Sequence, residues 1–273
     1  MKEKLTVLGS GVGVHGLPYQ KELRYPPGYL LEKDGIRILL DCSEGMDTRL
    51  TSLGIDYGSI HTVFISHFHP DHFQVANLVF SSALKRRHEN KSPLKMRIIG
   101  PIGLEKNFWA IWNMWWKSSP NSIFGTLADL EFVELSDKDT NRLNDQAKLT
   151  GYSVWHDHGK ATALAVKIEF GDGFIFSYSG DSSVCDGLVE AATNANIFLC
   201  EASVHIGEDK TKESGHLNPF QAGQVAAQSG VGNLWLTHYW GKDKEKQMID
   251  EVRKGGFKDN VHIARDFDVL PLK

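Results

Sequence analysis

The chain has 273 residues, 41% hydrophobic and 23% charged, enough to bury a sizeable core in one domain spanning 1–273. Its formal net charge of −4 gives no general attraction to nucleic acid, so any such binding needs a local patch. No stretch approaches the roughly 20 apolar residues of a membrane span. The start is too polar for a signal peptide, and the dispersed Cys42, Cys185 and Cys200 suit reduced thiols in a cytoplasmic protein.

In chain order, Leu5–Leu8 is the first expected strand. Gly11-x-Gly13-x-x-Gly16 follows and formally matches a dinucleotide fingerprint, which requires a helix directly after the glycines. Pro18 and then Pro26-Pro27-Gly28 argue against that helix, leaving a tight glycine turn leading toward a pocket. A strand at Ile36–Leu40 is followed by another at Val63–Ile65, short, β-branched and apolar. It runs into Ser66-His67-Phe68-His69-Pro70-Asp71-His72. His67 and His69, two apart, project the same way from an extended strand end. Pro70 fits the first position of a helix over 72–87, whose apolar face is Phe73, Ala76, Val79, Phe80, Ala83 and Leu84. Three imidazoles and a carboxylate gathered at one strand end are donors that suit zinc and neighbouring metals.

The basic run Lys85-Arg86-Arg87-His88, with Lys91, Lys95 and Arg97, offers either phosphate contacts or a solvated helix end. After a strand at Arg97–Ile99, a helix over 103–116 carries Phe108, Trp109, Trp112, Trp115 and Trp116. That face reads as core or a subunit contact, or as stacking surface if it lines a pocket mouth. The second half alternates strands (Ala163–Phe170, Phe174–Tyr178, Ile197–Cys200, Asn233–Thr237, Val261–Ala264) with helices over 184–194, 218–229 and 243–254. Strands with helices in both halves imply an α/β architecture of packed sheets covered by helices. Further candidate ligands flank these strands: Trp155-His156-Asp157-His158, Ser179-Gly180-Asp181-Ser182 and Leu236-Thr237-His238.

With these motifs the chain resembles the metallo-β-lactamase superfamily, and within it the ribonuclease Z-like branch. The match runs nearly end to end through Leu8-Gly9-Ser10-Gly11, Asp41-Cys42-Ser43-Glu44-Gly45, the His-x-His-x-Asp-His run, Gly100-Pro101-x-Gly103, Ser179-Gly180-Asp181-Ser182, Glu201-Ala202, Leu236-Thr237-His238 and Ala264-Arg265-Asp266. The resemblance implies a four-layer αβ/βα sandwich with a dinuclear site at one sheet edge. Carried over by position, His67, His69 and His158 hold one metal, Asp71, His72 and His238 the second, and Asp181 bridges them. His156 competes with His158 for the third place. His158 lies at the distance from the following strand that better fits the family pattern, which leaves His156 to support it or to face substrate. The branch rests on Glu201 and His216, read as a carboxylate orienting an imidazole that stabilises a phosphate oxyanion or protonates the leaving oxygen.

The implied activity is hydrolysis of phosphodiesters assisted by two divalent metal ions, zinc first, with manganese or iron accepted by the same donors. Asp71 would also orient the attacking water. Ribonuclease Z proper carries a glycine-rich basic arm for tRNA, and 101–155 shows none, which shifts weight from an RNA 3′ end toward a small cyclic or nucleotide diester. Lactone, thioester or β-lactam hydrolysis on the same metals is the alternative, and a non-enzymatic metal-binding scaffold a further one. Diiron redox relatives carry glutamate where this chain has His69. The sequence leaves the oligomeric state open; the resemblance allows a homodimer, since the family often dimerises, with the tryptophan face as a candidate contact.

Overall fold

A computed structural model describes residues 3–14, 22–117, 128–208, 214–241 and 243–272. Gly16 and Pro18 lie outside them. Two seven-stranded sheets face one another. The first is ordered β14-β1-β2-β3-β4-β5-β6 and comprises β1 (Lys4–Gly9), β2 (Gly28–Lys33), β3 (Ile36–Leu40), β4 (Thr62–Phe64), β5 (Leu94–Pro101), β6 (Ala128–Leu135) and β14 (Val269–Pro271). The second is ordered β13-β12-β11-β10-β9-β8-β7. It comprises β7 (Thr140–Asn144), β8 (Ala147–Ser153), β9 (Leu164–Phe170), β10 (Ile175–Tyr178), β11 (Ile197–Glu201), β12 (Asn233–Thr237) and β13 (Asn260–Ile263).

Side chains alternate across each strand, and that alternation builds three apolar layers. Leu5, Val7, Tyr29, Leu31, Ile38 and Leu40 point between the sheets and meet Leu149, Val166, Ile168, Phe176 and Leu199 of the second sheet. The opposite face of the first sheet, with Leu8, Leu30 and Leu39, packs on α1 (Met46–Ser52), α2 (Val75–His88) and α3 (Leu104–Trp116). The outer face of the second sheet, with Phe198, Cys200, Leu234 and Leu236, packs on α4 (Asp186–Ala192), α5 (Pro219–Gln228) and α6 (Glu245–Lys254). The result is the αβ/βα sandwich. Strands buried on both faces need apolar residues at nearly every position, and for that reason the central ones read clearly in the sequence.

The elements that escaped sequence reading are the less apolar ones. Strand β2 carries Glu32 and Lys33, and β7 and β8 form a charged edge hairpin. The helix expected over 72–87 starts later, at Val75, and Pro70 sits in a turn rather than at a helix start. Here the amides of His72 and Phe73 both reach the His69 carbonyl at 3.0 Å, and Phe73 bridges to Cys42. The helix over 218–229 starts as its sequence suggests. Asn218 and Gln221 form a reciprocal capping box, with Pro219 in the first turn.

Strands β3–β6 run parallel, as do β10–β13. The C-terminal ends of β3, β4, β10, β11 and β12 deliver Asp41, Ser66–His72, Ser179–Asp181, Glu201 and His238. Parallel α/β sheets characteristically place sites at such ends. No helix among the described residues is long and apolar enough to cross a membrane.

Candidate active site

Strand β4 ends at Phe64, and the chain leaves it extended through His67 before turning at His69–Asp71. The turn brings Asp71 and His72 back toward His67, whose ring centroid lies 4.2 Å from that of His72 and 4.7 Å from that of His69. Asp181, after β10, is buried between both sets. Its Oδ2 lies 3.4 Å from His72 Nε2 and 3.8 Å from His67 Nε2, while its Oδ1 lies 3.5 Å from His238 Nδ1. Donor atoms of His67, His69, His156 and Asp181 all fall within 4.8 Å of one another, and those of Asp71, His72 and His238 form a second such set.

His158 is not in either set, which corrects the sequence reading. It is exposed, and His156 is buried in its place, with Nε2 3.1 Å from His69 Nδ1. The physical reason is the backbone after His156. Asp157, His158 and Gly159 all adopt positive φ (44°, 55° and 72°), a left-handed turn that swings His158 outward. His156 Nδ1 donates to the Gly215 carbonyl at 3.0 Å, which leaves Nε2 as the acceptor facing the cluster. Gly215 sits at φ 72°, and a Cβ there would come within 2.5 Å of the Asp157 amide nitrogen, so this contact requires glycine.

The donor set fits metal ions. His67 Nε2, His72 Nε2, Asp181 Oδ1 and both ring nitrogens of His238 are buried without hydrogen-bond partners. Buried polar atoms are normally paired. A cluster of unpaired nitrogen and oxygen donors aimed at common points is what borderline divalent cations bind. Burial pushes the His67 imidazole below its ordinary pKa, toward the neutral form a ligand needs. For Asp71, burial works against the charge, but the His238 and His72 imidazoles outweigh it and hold the carboxyl well below the usual carboxylate range.

Two carboxylates orient neighbouring imidazoles. Asp41, fully buried at the end of β3, takes His72 Nδ1 at 2.7 Å on Oδ2. The same oxygen accepts the Tyr178 and Ser66 hydroxyls at 2.6 and 2.8 Å, and Oδ1 accepts the Ser66 amide at 2.7 Å. Sequence reading quoted the Asp41 motif but gave Asp41 no role; an aspartate directly after a buried strand was the available signal. Glu201, also fully buried, accepts His216 Nδ1 at 2.8 Å, and it is held by the amides of Ser182 and Ser203 at 2.9 and 3.1 Å. Burial disfavours the charged His216, yet the Glu201 charge and hydrogen bond outweigh it and raise the pKa to about 9. His216 Nδ1 lies 3.9 Å from Asp181 Oδ2, so the pair sits beside the candidate metal centre.

The centre opens into a cleft of about 700 Å³ lined by Val12, Gly13, Val14, Asp71, His205, His216, His238 and Trp240, among others. The tryptophan face of α3 is elsewhere. Trp112 is buried, and Trp116 stacks on Phe80 of α2 at 4.6 Å. It is mostly core, with Trp115 41% exposed.

Residues 3–260 match the family described as Anti-Pycsar protein Apyc1. The chain belongs to this family. It is a member of the ribonuclease Z-like branch of the metallo-β-lactamase superfamily. It is 24% identical to the ribonuclease Z of Streptomyces avermitilis, over 90% of this chain and 91% of that one. In fold it is similar to the metallo-β-lactamase fold protein YhfI from Bacillus subtilis, with TM-score 0.80 and 20% identity over 98% of this chain and 99% of that one. It is also similar to the short form of human tRNase Z, with TM-score 0.73 and 23% identity over 99% of both chains.

Proposed function

We propose that this metal-dependent hydrolase cleaves phosphodiester bonds, with a small cyclic or nucleotide diester as the preferred substrate class. The reading rests on one observation, the Glu201–His216 pair, with its carboxylate buried, placed against two His/Asp clusters that have Asp181 between them. His67, His69, His156 and Asp181 would hold one divalent cation, and Asp71, His72 and His238, with Asp181 shared, a second. Zinc is the first choice for these donors, and manganese or iron is accepted by them. Bound there, the cations supply an activated hydroxide and charge that polarises the phosphoryl group.

The chain's own residues then do the rest. Asp71, held ionised, accepts a hydrogen bond from the attacking water and orients it. His216, protonated and fixed through Nδ1 by Glu201, has Nε2–H left and gives that proton to the departing alkoxide. An ester or lactone leaves a carboxylate and alcohol without a second anionic oxygen to stabilise, so the cationic imidazole has most to offer a diester.

Two observations favour a small substrate over RNA. The cleft volume lies in the range of small-molecule sites. Part of the basic run is also paired within the molecule. Lys85 pairs with Glu89 and Asp56, Lys91 pairs with Asp56 and Glu89, Arg97 pairs with Glu131, and Arg86 is engaged by the Gly58 and Ser92 carbonyls. A homodimer in the cytoplasm remains part of this proposal.

The test is a substrate panel with zinc-, manganese- and iron-loaded protein, covering bis-p-nitrophenyl phosphate, cyclic mononucleotides, dinucleotides, a precursor tRNA with a 3′ trailer, lactones and thioesters. Turnover of the small diesters above the rest is expected. Hydrolysis of lactones or thioesters with every diester untouched would overturn the reading, and preference for the precursor tRNA would overturn its substrate class.

A further inference from the structure

The glycine loop after β1 plays no part in the chemistry above, yet it touches it. The Gly13 amide donates to Asp71 Oδ2 at 3.1 Å across 58 residues of sequence. A Cβ built on Gly13 would lie 2.7 Å from Asp71 Cβ and 2.8 Å from both its Cγ and Oδ2. Contacts that short do not occur between real side chains, so any other residue here must push the carboxylate or the loop aside.

The base of the loop is fixed from both sides. Asp266 Oδ1 accepts the Ser10 amide and hydroxyl, each at 2.8 Å, and its Oδ2 accepts the Tyr25 amide at 2.7 Å. From below, the Arg49 guanidinium donates to the Leu8 and Pro26 carbonyls at 2.9 and 2.7 Å. The amide of Gly11 reaches the Tyr25 carbonyl at 2.9 Å. A loop this firmly held delivers its amide at a set place.

We infer that Gly13 is a positioning residue for the reaction, its amide fixing which Asp71 oxygen faces the candidate metal centre, with Asp266 as the anchor that holds the amide there. The argument is geometric. Asp71 is the only carboxylate of its cluster and the most exposed member of it, with a side chain 22% exposed against 0% for His72 and 5% for His238. Packing restrains the two imidazoles, whereas the carboxylate depends on a directed hydrogen bond for its orientation. One N–H committed to Oδ2 removes that oxygen's freedom to rotate and keeps it turned toward the cluster, 3.7 Å from both His72 Nε2 and His238 Nε2. The inference rests on the proposed metal-assisted hydrolysis for its catalytic consequence, but not for its structural one.

The experiment therefore has two arms. In 15N-labelled metal-free protein, Asp71→Ala should shift the Gly13 amide proton upfield and speed its exchange with solvent. An unmoved, equally protected amide would overturn the contact whatever the enzyme does. In the second arm, Gly13→Ala is titrated calorimetrically with zinc. One of the two binding steps should weaken by about 10–100-fold while the other is retained, the range typical of losing an orienting partner to a metal ligand. On whichever substrate the wild type turns over, kcat should fall by about tenfold or more with KM within about twofold. Wild-type zinc affinity at both steps together with wild-type kcat in Gly13→Ala would overturn the inference and leave the proposed function standing. Absence of any diester activity in the wild type would sink that function while the amide and zinc readouts still judge this one.

Discussion

The two halves of the molecule reach the same cleft by different means. The first sheet concentrates its contribution in one turn, His67 to His72, after a single strand. The second sheet spreads its share over His156, Asp181, Glu201, His216 and His238, gathered from beyond the ends of β8, β10 and β12, from the end of β11 and from the connection after it. The first half presents a preassembled cluster. The second has to be aligned strand by strand, through the parallel register that sets Glu201 beside Thr237 and Tyr178 beside Leu199. Local sequence builds the one, and tertiary packing builds the other.

If Asp181 joins the halves as a shared ligand, its loss should be the costliest change. Asp181→Ala is expected to lower kcat/KM on bis-p-nitrophenyl phosphate by at least about 10³-fold, since metal activation is worth several kcal/mol. Metal content measured on the purified variant should drop below that of the wild type. Chelator-treated wild type should lose activity comparably and regain it on adding the metal, which the variant should not. A variant with full metal content and near-normal turnover would mean that each half works alone.

His216 tests the second half more finely. As a general acid it contributes about 10²–10⁴-fold, but only where the leaving group needs a proton. His216→Ala should therefore suffer that loss on an alkyl or nucleoside diester and far less on bis-p-nitrophenyl phosphate, whose leaving phenolate is already stable. Glu201→Gln should follow the same pattern in milder form, because the imidazole keeps its place but loses the charge that favours its protonation. Equal losses on both substrates would make His216 a binding group instead.

Asp41 sharpens the first half. Its carboxylate orients His72 from behind the cluster, and Asp41→Asn should weaken metal binding by about 10–100-fold in a zinc titration, with a matching fall in activity at limiting metal and recovery when metal is in excess. Activity that stays low in saturating zinc would point to a role beyond orienting the imidazole.

The same contrast explains what was legible in the sequence. The His-x-His-x-Asp-His run needed only a strand end and a turn to become a cluster, so its spacing alone revealed it. Most of the doubly buried central strands were visible because both faces demand apolar residues; β2, buried throughout, escaped because Glu32 and Lys33 cut its apolar run short. Strands β6, β7 and β8, at a sheet edge or next to one, were not, since positions such as Glu131, Arg142 and Lys148 are chosen by solvent and by cross-strand partners. Asp41 and Gly13 act through contacts with residues distant in the chain, so their local patterns, an aspartate after a buried strand and a glycine turn, mark the positions but not the partners.

His158 is where the scattered half misled, and it yields the smallest expected effect. Counting residues back from β9 assumes that the intervening chain advances evenly. It does not, because three successive left-handed residues reverse it directly after His156. A histidine at 158 thus ends in solvent, whereas His156, two residues earlier, is held by the Gly215 carbonyl and packed against His67 and His69 at ring separations of 4.6 and 4.8 Å. His158→Ala should leave stability within about 0.5 kcal/mol and turnover and metal content close to wild type, as expected of an exposed side chain without structural duty. His156→Ala should lose metal and fall with Asp181→Ala. The paired comparison isolates the turn itself: if both variants keep their metal, the third imidazole is not a ligand at all, and if His158→Ala alone loses it, the chain after β8 must rearrange when metal binds.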